Sequence, residues 1–165
     1  MKHVWLIGMM GTGKTTVGVR VAASTRVPFI DVDQRIVAET GKAITELFDE
    51  GEALFRRIEA AMIGTIAEGQ TCVVATGGGA ILDPDNVATM RATGTTVLLT
   101  APPDALIARL SGESTDRPLL RGEEDLERIA IEREAIYIAA ADIIVDTTSR
   151  DVDQVAREVV RCVAT

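Results

Sequence analysis

The sequence predicts an α/β domain in which a five-stranded parallel sheet is covered on both faces by helices. Three observations lead there. Short, near-continuous apolar runs alternate with longer segments of helical spacing, the pattern of repeated βαβ units whose strands are buried on both sides. The first run leads straight into Gly8-Met9-Met10-Gly11-Thr12-Gly13-Lys14-Thr15, which fits G-x-x-x-x-G-K-[ST], a phosphate-binding loop set between a strand and a helix. The 165 residues are 47% hydrophobic but only 3% aromatic, so the chain has the size of one domain, 1–165, with a mostly aliphatic core. No internal repeat or low-complexity tract divides it.

The first strand is expected over about 3–8, around Val4-Trp5-Leu6-Ile7. In the loop that follows, Gly8, Gly11 and Gly13 let successive backbone N–H groups converge on phosphate oxygens, and the helix from Lys14 adds its positive end. Lys14 would reach the β- and γ-phosphates of a nucleotide, and the Thr15 hydroxyl would take a Mg²⁺ coordination place. That helix is expected to end near Thr25, because Val27-Pro28 disfavours its continuation. Phe29-Ile30-Asp31 reads as a short second strand that presents Asp31 and Asp33 at its end. A short helix over 34–39 is broken at Gly41, and Thr45 can cap a further turn. Over 52–68, Leu54, Ile58, Ala61 and Ile66 fall near helical spacing with charges between them, which predicts a longer amphipathic helix.

The third strand is Thr71-Cys72-Val73-Val74-Ala75-Thr76, with Gly77-Gly78-Gly79 at its carboxyl end. Pro84 suits the start of a helix toward Arg91, 95–99 is the fourth strand, and Pro102-Pro103 introduces a helix to about Leu110. Residues 111–122 are polar at first and Gly-bounded, follow neither period, and read as a mobile excursion from the core. A helix over 123–140, a fifth strand at Ile143-Ile144-Val145 and a last helix over 152–163 complete the chain. Ligands of such sheets bind outside the carboxyl ends of the strands. The phosphate loop, Asp31 with Asp33, and the triple glycine all fall there.

A formal charge of −8 argues against a long nucleic-acid or anionic-membrane surface. No stretch approaches the roughly 18 to 20 apolar residues of a membrane span. Met1-Lys2-His3 leads into a strand without a signal-peptide pattern, so the expected location is the cytoplasm. Cys72 and Cys162 belong to no metal-ligand cluster and are expected as thiols rather than a disulfide. With His3 the only histidine, a mechanism built on several histidines is excluded.

Together with the phosphate loop, the ordered set Phe29-Ile30-Asp31-Val32-Asp33, Gly51-Glu52-x-x-Phe55-Arg56-x-x-Glu59, Gly77-Gly78-Gly79, Arg117-Pro118-Leu119-Leu120 and Arg133-x-x-x-Tyr137 resembles the shikimate kinases. The resemblance runs from the first strand to about Arg150. Gluconate and adenylate kinases share the general loop and lid plan but not this combination. The resemblance implies a three-layer α/β/α P-loop kinase fold, with a small substrate-binding helical region at about 32–60 and a mobile lid at about 111–122. It implies ATP-dependent phosphorylation of the 3-hydroxyl of shikimate, with ATP and Mg²⁺ as cofactors. It further implies a monomer with a small-molecule substrate and neither nucleic acid nor membrane as partner.

Carried onto this chain, the nucleotide site comprises Gly11, Thr12, Gly13, Lys14, Thr15 and Thr16, with Arg117 reaching the phosphates on lid closure. Asp31 joins Thr15 in the Mg²⁺ environment, and Thr76 is a weaker suggestion there. The acceptor site comprises Asp33 at the reacting hydroxyl, Arg56 and Arg133 on the carboxylate, and Gly78 on the ring. Lys14, Asp33 and Arg117 form the catalytic set. Arg109 and Arg150 match nucleotide-side positions more loosely, Arg150 near the adenine.

Local sequence alone leaves plainer roles open. Asp31 or Asp33 can cap the next helix. Arg56 and Glu59, three apart, can form a surface ion pair of about 0.2–0.5 kcal/mol, or Glu59 can orient the Arg56 fork toward a carboxylate. Arg133, between Glu132 and Glu134, can belong to a charged helix face, and Arg57 is expected to face solvent. Two other functions also stay open: a kinase for another small carboxylated polyol or cyclitol, and a non-catalytic ATP-binding regulatory module. The complete acceptor pocket argues against the module, which has no use for one.

Overall fold

The computed structural model describes residues 2–110 and 123–164. Among these the elements run β1 (His3–Ile7), α1 (Lys14–Thr25), β2 (Phe29–Asp31), α2 (Val32–Thr40), α3 (Ile44–Glu50), α4 (Glu52–Ala67), β3 (Val73–Ala75), a 3₁₀ turn (Ala80–Leu82), α5 (Pro84–Thr93), β4 (Gly94–Thr100), α6 (Pro103–Leu110), α7 (Glu123–Ala140), β5 (Ile143–Asp146) and α8 (Val152–Val163). The five strands form one parallel sheet in the order β2-β3-β1-β4-β5. The α/β class and the parallel sheet expected from the sequence are both present.

Alternation along β1 explains why both faces are covered. Successive side chains of a strand point to opposite faces, so Val4 and Leu6 share one side and Trp5 and Ile7 the other. Val4 and Leu6 pack with Val73, Val97, Leu99 and Val145 against Val17 and Val21 of α1 and Val155 and Val159 of α8. On the opposite face Trp5 and Ile7 meet Val74 and Leu98, covered by Phe55 and Ile63 of α4, Met90 of α5, and Ile129 and Tyr137 of α7. A strand apolar on both faces reads as an unbroken apolar run. No described helix is long and apolar enough to cross a membrane.

Two local expectations are corrected. The helix expected over 34–39 starts at Val32, because Asp31 is its cap: the Asp31 Oδ1 accepts from the Gln34 N–H at 3.2 Å. Asp33 therefore stands in the first turn of α2 and not at a strand end. Nor does Thr45 cap α3. That helix begins at Ile44, and Glu46 Oε2 reaches back to the Ala43 N–H at 2.6 Å. Gly41 does close α2, in the left-handed region at φ 69°. Cys72 is buried and Cys162 half-buried, both as free thiols. Burial pushes the Cys72 thiol up to about 11.

Candidate active site

The phosphate loop is shaped by backbone conformations that few side chains tolerate. Gly8, Gly11 and Gly13 have φ of 141°, 81° and 88°, and a Cβ on Gly8 would stand 2.3 Å from the Leu99 carbonyl oxygen. Thr12 is buried and its hydroxyl donates to the Met9 carbonyl at 2.8 Å, bracing the turn from within. The Lys14 ammonium lies over the loop and donates to the Gly8 and Met9 carbonyls at 2.8 and 3.0 Å. Thr15 Oγ1 donates to Asp31 Oδ2 at 2.7 Å, so one carboxylate caps α2 with one oxygen and meets the end of the phosphate loop with the other.

A cavity of about 720 Å³ runs from this loop across the carboxyl ends of β1 and β3. Gly11, Gly13, Lys14, Thr15, Thr16 and Asp31 line one part; Asp33, Arg56, Gly78 and Arg133 line another. Thr12 and Arg150 do not line it. Arg150 instead donates to the Asp146 carbonyl at 2.9 Å and pairs with Glu158 at 2.6 Å. Arg109 does line it, and binds both the Gly11 carbonyl at 3.2 Å and the Thr147 hydroxyl at 2.9 Å. Thr76 also borders the cavity, with its hydroxyl donating to the Leu6 carbonyl at 3.2 Å. Arg117, Leu119, Leu120 and the lid expected at 111–122 lie outside the described residues.

At the acceptor end the charges interlock. Arg56 Nη1 donates to Glu59 Oε2 at 2.7 Å and Nη2 to Glu52 Oε1 at 3.3 Å. Glu59 is wholly buried, so this is not the surface ion pair that helical spacing alone allows. Burial raises the Glu59 carboxyl above its ordinary 4.5, opposed by the charge and hydrogen bond of Arg56, while Asp33 adds to the rise. The Arg56 guanidinium carbon also stands 5.6 Å from the centre of the Phe48 ring and 5.2 Å from that of Phe55, within cation–π range. Arg57, the next residue, is exposed.

The triple glycine is packed against these groups. A Cβ on Gly77 would come within 2.6 Å of Glu59 Oε1 and 3.2 Å of Asp33 Oδ1, and one on Gly79 within 2.3 Å of Arg56 Nη2. Between them the Gly78 carbonyl accepts from the Tyr137 hydroxyl and from Arg133 Nη1, the latter at 3.3 Å. Sequence reasoning missed the Phe48 ring and the Tyr137 contact. Phe48 had no local signal, since it reaches Arg56 from a different helix. Tyr137 had one, its four-residue spacing from Arg133, which puts both on one face of α7.

The shikimate kinase family model matches residues 10–164. The chain belongs to the shikimate kinase family. The shikimate kinase of Caldanaerobacter subterraneus subsp. tengcongensis is 39% identical over 165 residues, covering 98% of this chain and 95% of that protein. The structure of a shikimate kinase from Acinetobacter baumannii in complex with shikimate matches with a TM-score of 0.94 at 30% identity, over 99% of this chain and 93% of the other. A gluconokinase from Sinorhizobium meliloti 1021, at 16% identity and a TM-score of 0.63, shares the fold alone. This chain gathers residues of the phosphate loop, Asp31, Asp33 and the triple glycine around one cavity.

Proposed function

We infer that this chain transfers the γ-phosphoryl group of ATP to the 3-hydroxyl of shikimate, releasing ADP and shikimate 3-phosphate. One observation carries the reading: the phosphate loop and a pocket of arginines and carboxylates open onto the same cavity, so donor and acceptor can be bound side by side. Phosphoryl transfer needs alignment and charge compensation more than covalent help from the protein. Lys14 turns from the Gly8 and Met9 carbonyls to the phosphates, Arg56 and Arg133 hold the acceptor carboxylate, and Gly78 contacts its ring. Asp33 orients the reacting hydroxyl and accepts its proton. Glu59 keeps the Arg56 fork aimed, which its 2.7 Å contact supports.

Thr15 and Asp31 offer two oxygens 2.7 Å apart beside the loop. This small, hard donor set suits Mg²⁺, which keeps several waters and shares its coordination with phosphates. No group of three or more His, Cys, Asp or Glu side chains that could hold a metal ion occurs among the described residues. When bound, the ion would neutralise charge on the β- and γ-phosphates. Arg117 completes that compensation from a lid at about 111–122, and Arg109, which lines the cavity beside the Gly11 carbonyl, suits the nucleotide side better than Arg150, which does not line it. On this proposal 1–165 is a single kinase domain with its acceptor region at about 32–60, acting in the cytoplasm as a monomer. The net charge of −8 supports small diffusible substrates over nucleic acid.

The test is ADP formation by purified protein with shikimate, quinate, aminoshikimate or gluconate. Shikimate-dependent turnover well above the others is expected. Normal ATP binding without shikimate-dependent ADP formation would defeat the assignment.

A further inference from the structure

The Gly78 carbonyl receives two donors from α7 at once. The Tyr137 hydroxyl is close, whereas Arg133 Nη1, at 3.3 Å, is longer than an ordinary N–H···O bond. Tyr137 is 4% exposed and belongs to the buried core on this face of the sheet, so the phenol cannot turn elsewhere without displacing packed neighbours. Arg91 of α5 donates to the Ala139 carbonyl at 2.6 Å and ties down the end of α7 just beyond it. Burial pushes the Tyr137 hydroxyl up to about 12, so it remains a donor at every pH near neutrality. Arg133, by contrast, borders the cavity and is only partly buried.

We propose that Tyr137 is a positioning residue: its hydroxyl keeps the Gly78 carbonyl satisfied, so that Arg133 can leave that carbonyl for the acceptor carboxylate. The proposal rests on the reading of Arg133 as half of the carboxylate clamp. A partly buried carbonyl left without a donor is costly, and two donors on one carbonyl let the weaker be withdrawn without that cost. Because a trans peptide is planar, the same bond turns the Gly79 N–H away from α7 and holds the triple glycine in register beside Arg56. Without the phenol, Arg133 is the remaining donor to Gly78 among the described residues, and every acceptor bound must take it away.

The experiment is steady-state kinetics on wild type, Tyr137→Phe, Arg133→Ala and the double variant. Tyr137→Phe should raise the shikimate KM about tenfold, the loss expected when one partly buried acceptor is stranded on binding, and leave the ATP KM within about twofold. In the Arg133→Ala background the same change should have no further effect, because there is no longer a guanidinium to release. A purely structural role for Tyr137 predicts equal effects in both backgrounds and would overturn the proposal, as would an unchanged shikimate KM for Tyr137→Phe. If Arg133→Ala itself leaves the shikimate KM unchanged, the clamp fails first and this proposal falls with it. A second measurement serves if Tyr137→Phe does not fold. Tyr137 is the only tyrosine, so biosynthetic fluorotyrosine labels this side chain alone. Its fluorine NMR signal should shift when saturating shikimate draws Arg133 off Gly78, and less in Arg133→Ala; an unmoved signal, or equal shifts in both, overturns the proposal.

Discussion

At one end of the cavity a single loop and helix start line it, through Met10, Gly11, Gly13, Lys14, Thr15 and Thr16; at the other the chain assembles Asp33 from α2, Arg56 and Glu59 from α4, Gly77 to Gly79 from a loop, and Arg133 from α7. The first is a conformation, held by three glycines at positive φ and by a buried threonine hydroxyl. The second is a meeting of side chains held by packing, with Glu59 buried beneath Arg56 and the Glu59 and Arg56 side-chain ends standing where a Cβ on Gly77 or Gly79 would push against them. The difference teaches where each end is vulnerable. A phosphate loop fails when its own backbone is altered. The acceptor end can fail through changes on any of four segments, including residues that would never touch substrate.

The sharpest way to break this contrast is at Asp33. Asp33→Asn keeps size but removes the charge that draws the hydroxyl hydrogen into line, and should cost about 10²-fold or more in turnover. ATP–Mg²⁺ affinity should hardly move. Asp31→Asn, two residues earlier and in contact with Thr15, should instead shift the Mg²⁺ requirement. Acceptor-dependent turnover and a magnesium titration on both folded variants decide the matter; near-wild-type turnover for Asp33→Asn would take Asp33 out of the chemistry.

Gly79→Ala tests whether the acceptor end depends on a residue with no functional group. Gly79 has φ −99° and ψ −1°, which alanine adopts without strain, so any effect comes from the Cβ against the Arg56 guanidinium. Displacing that fork should raise the shikimate KM by about tenfold to a hundredfold, the range for losing a hydrogen bond to a charged group, with nucleotide affinity preserved. Parallel losses for both substrates would show that the two ends are not separable.

Glu59 gives a smaller effect on stability. Its folded-state pKa is raised, chiefly by burial, so the folded chain binds this proton more tightly than the unfolded chain does. Stability is then fully present below the ordinary 4.5 and is lost as pH rises through the higher folded-state value. Glu59→Gln should flatten that descent. Denaturant unfolding read by the single tryptophan, Trp5, at a series of pH values measures it, and an unchanged slope would mean that the carboxyl is equally acidic folded and unfolded.

Smallest of all should be Arg57→Ala. Exposed beside Arg56, it is expected to change stability by no more than about 0.5 kcal/mol and the shikimate KM hardly at all. A large kinetic effect would show that the acceptor end reads charge beyond the clamp.

The phosphate loop, the parallel sheet and most of the helix boundaries are legible in the residues alone, because their physics is local. Glycines at fixed spacing, apolar runs buried on two faces, and a proline at the start of α5 act within a few residues of where they stand. The family resemblance named Asp33, Arg56, Gly78 and Arg133, but spacing could not say whether Arg56 and Glu59 made a surface pair or a buried one. The packed chain alone reveals that Glu59 is sealed under Arg56, that Asp31 is at once a cap and the partner of Thr15, and that Tyr137 shares the Gly78 carbonyl with Arg133. Burial and hydrogen bonding between distant segments depend on how helices pack across a sheet. That packing is a property of the whole core, and a local pattern of residues does not contain it.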